Sequence, residues 1–216
     1  NLYCDDSDEP RPESYREDIE AAENITAANR ADFYRNIRAA CESGWDFSSR
    51  WLADQDDLST IQTTHIVPID LNCLLYKLEM LLSQFYAELF ETDLSVKFAE
   101  YAQIRSDAIN QYLWDEQSCF YYDFDFIQGK KTPIQSLAAC LPLFSQIASK
   151  QQAKHIALKL KNAFLLEGGL VTTLNDSAQQ WDAPNGWAPL QWFAVVGLMN
   201  YGFDKLSLKI MNRWMA

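Results

Sequence analysis

Basic residues, histidine, glycine and proline are all scarce in this chain, and each shortage closes off a class of protein. Lys and Arg number 18 against 30 Asp and Glu, a net charge of −12. Binding to nucleic acid or to an anionic membrane surface needs clustered Lys and Arg, so neither partner is expected. Seven Gly and seven Pro in 216 residues are too few for a loop-rich β protein or for low-complexity disorder. Two histidines, His65 and His155, leave few candidates for a catalytic metal or a Ser-His-Asp triad, and His155, in a helical pattern beside Lys154, reads as surface decoration. The five cysteines, Cys4, Cys41, Cys73, Cys119 and Cys140, are odd in number and contain no Cys-x-x-Cys pair. That argues against a disulfide framework or a zinc site and leans towards a reducing compartment. No apolar run approaches the roughly 20 residues that span a bilayer. Nothing in the pattern calls for a metal or an organic cofactor.

Helical periodicity is what the chain does have, with 48% hydrophobic residues to build a core. Leu71, Leu74, Leu75, Leu78, Leu81, Leu82, Phe85 and Leu89 recur at spacings of three and four, one apolar stripe on a long helix. Tyr101, Ile104, Ala108, Tyr112 and Leu113 repeat the pattern on the next. Further helices are predicted over residues 14–23, 31–42, 134–149, 151–166, 189–201 and from 203 to the end. The stripes Leu137, Leu141, Phe144, Ile147 and Ile156, Leu160, Ala163, Phe164 read as core. "CFYYDFDF", residues 119–126, alternates aromatic and acidic residues and runs into Gln128-Gly129, a strand or short hairpin. Helix, short link, helix, repeated without a fixed sequence period, predicts an all-α toroid of stacked helix pairs in one domain, 1–216.

Three non-helical stretches interrupt the pattern. In "DSDEPRPESY", residues 6–15, Pro10 and Pro12 hold the backbone around Arg11 extended, presenting Arg11 and Glu13 on a stiff strap. The same residues also suit a plain helix start, with Pro12 in the first turn and Glu13 facing the helix dipole. In "ESGWDFSSRW", residues 42–51, a helix stop at Ser43-Gly44 precedes Asp46, flanked by Trp45 and Phe47. Aromatic flanks partly desolvate a carboxyl and favour its protonated form, as a general acid requires. A helix N-cap at Asp46, with Trp45 and Trp51 as core, fits these residues too. "QQWDAPNGWAPLQW", residues 179–192, sets Trp181, Trp187 and Trp192 beside Gln180, Asp182, Asn185 and Gln191. Indole faces stack on the C–H faces of pyranose rings while amides and carboxylates take hydroxyls in pairs, so the three loops together point to a neutral polyol.

At these residues the chain resembles the trehalases, a family of inverting glycoside hydrolases. "QWDAPNGWAP", residues 180–189, matches every fixed position of the family signature Gln-Trp-Asp-x-Pro-x-Gly-Trp-x-Pro. "SGWDFSSRW", "PRPES" and the connecting "TTHIVPIDLN" match family blocks in the family's order. The resemblance implies an (α/α)6 toroid, here a partial one carrying a short β-hairpin insertion, that hydrolyses α,α-trehalose to two glucose molecules. It places the general acid at Asp46, a substrate-binding strap at Arg11, Pro12 and Glu13, and a backbone contact at Gly44. The family's second carboxylate lies in a Gly-Gly-Glu-Tyr segment near the C-terminus. Here the one Gly-Gly pair, Gly168-Gly169, is followed by Leu170 and fits a helix C-cap instead. The chain is therefore expected to be a central fragment that lacks the base, shows no hydrolysis alone, and leaves the stripes at 71–89 and 190–214 uncovered. A truncated sugar-binding remnant and a toroidal α-glucosidase for another substrate are the alternatives. Such trehalases occur in periplasm and cytoplasm, and the unpaired cysteines lean towards the cytoplasm.

Overall fold

The computed structural model describes residues 1–216, and most of them are helical. The principal helices are α1 (Tyr15–Ala21), α2 (Arg30–Ser43), α3 (Ile69–Glu88), α4 (Thr92–Ala108), α5 (Leu141–Phe144), α6 (Lys150–Lys159), α7 (Ala188–Asn200) and α8 (Asp204–Met215). Links of a few residues fold α4 back on α3 and α8 back on α7, while α5 lies between α3 and α7. Helices α3, α5 and α7 thus form one layer and their sequence successors stand outside it. This is part of a toroid of helix pairs, as the sequence predicted.

Seven two-residue strands punctuate the helices: β1 (Ile66–Val67), β2 (Trp114–Asp115), β3 (Phe120–Tyr121), β4 (Phe124–Asp125), β5 (Lys130–Lys131), β6 (Leu165–Leu166) and β7 (Gly169–Leu170). They pair antiparallel as β1-β4-β5, β2-β3 and β6-β7. The aromatic–acidic stretch at 119–126 supplies β3 and β4, which pair not with each other but as the return strand of the β2–β3 hairpin and the first strand of the β4–β5 hairpin. Helices α4 and α6 each end in one π-helical turn, Ile109–Leu113 and Leu160–Phe164, that leads straight into a hairpin. The wider turn re-aims the last apolar residues, burying Leu113 and Phe164 while the chain leaves the helix axis.

Two expectations need correction. Residues 134–149 form no continuous helix but a short 3-10 turn (Leu137–Cys140) followed by α5 of four residues. Pro142 removes a backbone donor there, and α7 approaches so closely that a Cβ on Gly197 would meet the Phe144 nitrogen at 2.8 Å. Leu137 and Leu141 are nevertheless fully buried, as predicted. Gly168-Gly169 caps no helix: Gly169, at φ +114°, closes the β6–β7 hairpin, with Leu166 opposite it. The apolar stripe of α3 turns outward beyond its first turns. Ile69 and Cys73 are buried, whereas Leu78 is 50% and Leu89 67% exposed.

Candidate functional site

Helix α2 stops at Gly44, whose φ of +75° gives the left-handed turn that ends it. A side chain is excluded here twice, by that conformation and because a Cβ would stand 2.9 Å from the Trp187 ring. Trp187 in turn packs on Trp45 and Trp181, with ring centroids 5.9 and 5.0 Å apart. Asp46 follows, joined to Phe47 by a cis peptide bond, and its side chain is half-buried. The hydrogen bonds of this loop fall on its neighbours, from Trp45 N to Ser43 Oγ and from Ser48 Oγ onward, and none falls on the Asp46 carboxylate. Asp46 is no N-cap: Ser48 takes that role, accepting from Arg50 N.

The strap closes against this loop. Arg11 is extended (φ −65°, ψ 135°) ahead of Pro12, as a residue before proline must be. Buried Asp18 accepts from Arg11 N at 2.8 Å, from Nε, and from Nη2 at 2.7 Å. Those bonds hold the guanidinium above its ordinary pKa against the opposing effect of burial. Its plane lies 5.2 Å over the Phe47 ring, and Nη1 donates to Cys41 Sγ. The Cys41 thiol is pushed up by burial first, and the Arg11 guanidinium beside it lowers it in part. Pro12 and Glu13 do open a short 3-10 turn, the plain helix start, and both are exposed. The Glu13 charge reaches Arg38 of α2, which sits 3.1 Å from Asp5.

Asp182, fully buried, ties the two remaining loops together. It accepts from Ser48 Oγ (2.8 Å), Ser49 N (2.7 Å), Thr173 Oγ1 (2.7 Å) and Ser177 Oγ (2.6 Å). One residue earlier, Trp181 N donates to the Phe47 carbonyl at 2.9 Å. Of the other polar residues read as hydroxyl binders, Gln191 and Asn185 are also engaged within the chain, while the Gln180 side chain is exposed. Gln191 pairs with both backbone groups of Leu170, and Asn185 donates to the Gln180 carbonyl. Trp192 stands apart, more than half exposed beside Phe144 and Phe193.

Arg50, read in the sequence only as part of the polyol-pointing stretch 42–51, is the most elaborately held side chain. Its guanidinium lies between the rings of Trp45 and Trp51, 4.7 and 4.4 Å from their centroids. It pairs in a fork with Asp70 at the start of α3 and with Asp123 between β3 and β4. Burial alone would lower its pKa, yet Asp123 and Asp70 hold it far above the ordinary value. Trp45 and Trp51 are therefore core around a buried cation and not sugar platforms, a correction to the polyol reading of that stretch. Arg50, Asp70 and Asp123 lie in separate blocks, 20 and 73 positions apart, and left no local signal by which to find the triad.

The structure thus brings Arg11 onto Phe47, next in sequence to Asp46, leaves Pro12 and Glu13 exposed, and sets Trp187 against Gly44 with Trp181 packed on it. None of the five principal clefts is lined by Arg11, Gly44 or Asp46.

The family model described as Trehalase matches residues 1–216. The chain belongs to the trehalase family. It is 45% identical over 217 residues to the periplasmic trehalase of Citrobacter koseri and 43% identical over 216 to a putative periplasmic trehalase of Salmonella typhi. All of the chain is covered in each case but 38% of the relative, so the chain spans well under half their length. Among solved structures it is similar to the neutral trehalase Nth1 of Saccharomyces cerevisiae, with a TM-score of 0.78, 27% identity, 94% of this chain covered and 38% of that one. A mannosylglycerate hydrolase from Thermus thermophilus, at 21% identity and a TM-score of 0.62 over 70% of this chain and 37% of that one, shares the fold. The cytoplasmic lean drawn from unpaired cysteines finds no support among the bacterial trehalases, whose names place them in the periplasm. No helix of the chain is long and apolar enough to cross a membrane.

Proposed function

We propose that the protein carrying this trehalase segment hydrolyses α,α-trehalose to two glucose molecules with inversion, Asp46 serving as general acid. One observation carries the assignment. Among the carboxylates of the three loops, Asp46 alone is half-buried and engaged by no hydrogen bond or ion pair. A carboxyl kept free of partners is the one available to exchange a proton with the glycosidic oxygen as the bond breaks. Arg11, already fixed by Asp18, offers a directed cation to sugar hydroxyls on the same face. Gly44 offers close backbone approach, and Pro12 and Glu13 form the outer edge of the same subsite. Inversion also needs a carboxylate roughly 6.5–9.5 Å from the acid to activate water on the opposite side of the sugar. We assign no residue of 1–216 to that role. Two carboxyl groups suffice for this chemistry, so no cofactor is invoked.

The whole gene product should release glucose from trehalose but not from maltose or kojibiose. Asp46→Asn should reduce turnover by about 10²–10⁴-fold, the usual worth of a general acid, while trehalose binding stays measurable. Absence of trehalose hydrolysis by the wild type overturns the function; near-normal turnover by Asp46→Asn moves the acid elsewhere. The names of the bacterial relatives support a periplasmic location, which release of activity by osmotic shock checks.

A further inference from the structure

We propose that Asp182 is a positioning residue for the general acid and does not itself touch sugar. The inference rests on the reading of Asp46 given above. Asp182 is fully buried and all its hydrogen bonds are made within the protein, so no lone pair is aimed at a ligand-accessible surface. Two of its four donors, Ser48 Oγ and Ser49 N, belong to the turn that begins with Asp46. The adjacent Trp181 N–H grips the Phe47 carbonyl from the other side. Successive residues of one loop therefore clasp Phe47, Ser48 and Ser49, the three residues that follow the acid, across 134 positions of sequence. The remaining donors, Thr173 and Ser177, anchor the carboxylate itself to the segment after β7.

The chemistry of the clasp is specific. The Ser49 backbone N–H can only donate, so its partner must be an acceptor at that point. Hydroxyls can rotate to donate or accept, and a carboxylate accepts from all four at once. An amide of the same shape can keep Ser49 N and Ser177 Oγ on its oxygen and turn its NH2 group on Ser48 Oγ and Thr173 Oγ1, which then accept, whereas an alanine removes the acceptor from all four donors. A turn released on this side would let the Asp46 carboxyl drift, and displacement of a reacting group by about 1 Å can cost on the order of 10²-fold in rate.

The test uses the whole gene product with Asp182→Ala, Thr173→Val and Thr173→Ser. Asp182→Ala should lower kcat for trehalose by about 10²-fold with KM little changed. Thr173→Val, which removes one donor at constant shape, should lower kcat less, and Thr173→Ser, which keeps the hydroxyl, should restore it. Independently of activity, hydrogen exchange should show the Ser49 amide losing protection in Asp182→Ala. A lower Tm in Asp182→Ala and Thr173→Val with unchanged kcat well below Tm would reduce the clasp to a structural support and overturn the proposal. Unchanged Ser49 protection would overturn it too. If Asp182→Ala fails to fold, the Thr173 pair decides by the same kcat comparison. A wild type inert towards trehalose would refute the function, while the exchange data still test the clasp.

Discussion

At the scale of the residue, buried charge does two different jobs around one loop. Arg50 sits between two carboxylates and two indoles with nothing exposed, and four hydrogen bonds from its guanidinium satisfy both carboxylates. Removing it strands Asp70 and Asp123 without their cation. Arg50→Met should therefore destabilise the fold by about 3–5 kcal/mol, read from urea unfolding, because an unpaired buried charge costs far more than the pair contributes. A loss under about 1 kcal/mol would show that water reaches the two carboxylates. Asp182, by contrast, has no cation near it and is held by dipoles alone. Both side chains support the stretch from Trp45 to Trp51, and Asp46, in the middle of it, is the group left free.

At the scale of the element, helix ends carry the information. Gly44 and Pro12 mark a stop and a start that were legible in the sequence, because each residue permits few backbone conformations. Helix α6 begins with a complete capping box: Ser149 accepts from Gln152 N while the Gln152 side chain accepts from Ser149 N. Ser149→Ala should cost about 1 kcal/mol, seen as a lower denaturant midpoint with unchanged slope. No shift would mean that packing of α6 alone fixes its start. The other ends of α4 and α6 were illegible. Their π turns serve the burial of Leu113 and Phe164 under neighbouring elements, and a 3.6-residue period cannot reveal where it will be abandoned. The broken helix at 134–149 failed for a similar reason, since its apolar period persists while α7 and Pro142 dictate its path.

At the scale of the whole molecule, two properties follow from what is covered and what is not. Leu78, Phe85 and Leu89 on α3 and Ile104 on α4 are 50–67% exposed, as are Trp192 on α7 and Leu208 on α8. Purified residues 1–216 should therefore self-associate, with light scattering giving a mass that rises with concentration. A monomer throughout would mean that side chains repack over these stripes in solution. The second property is alkaline instability. Tyr201, half-buried, is pushed up to about 12 by burial and then by Tyr76, and burial likewise raises Tyr121, Cys73 and Cys140. A raised folded pKa means that the protonated form is favoured in the fold. The stabilisation is thus complete below the unfolded value near 10 for tyrosine and is lost as pH climbs towards 12. Helical circular dichroism should fall together with the rise of tyrosinate absorbance in that window, and Tyr201→Phe should soften the dependence. Tyrosine ionisation near its ordinary pH with helix content intact would contradict this.

By itself the sequence determined the helical class, most of the helix positions, and the three blocks that carry the family. Each of those rests on local signals: a period of apolar residues, a proline or glycine with restricted torsions, or a run of fixed residues. Only the tertiary structure decided what the polar residues of those blocks do. Asp182, Gln191, Asn185 and Arg50 looked as available for hydroxyls as Asp46 did, and the fold engages all four and leaves Asp46 free. Hydrogen bonds across 134 and 73 positions settle that difference. Partners so distant are set by the path of the chain and leave no trace in the spacing of neighbouring residues.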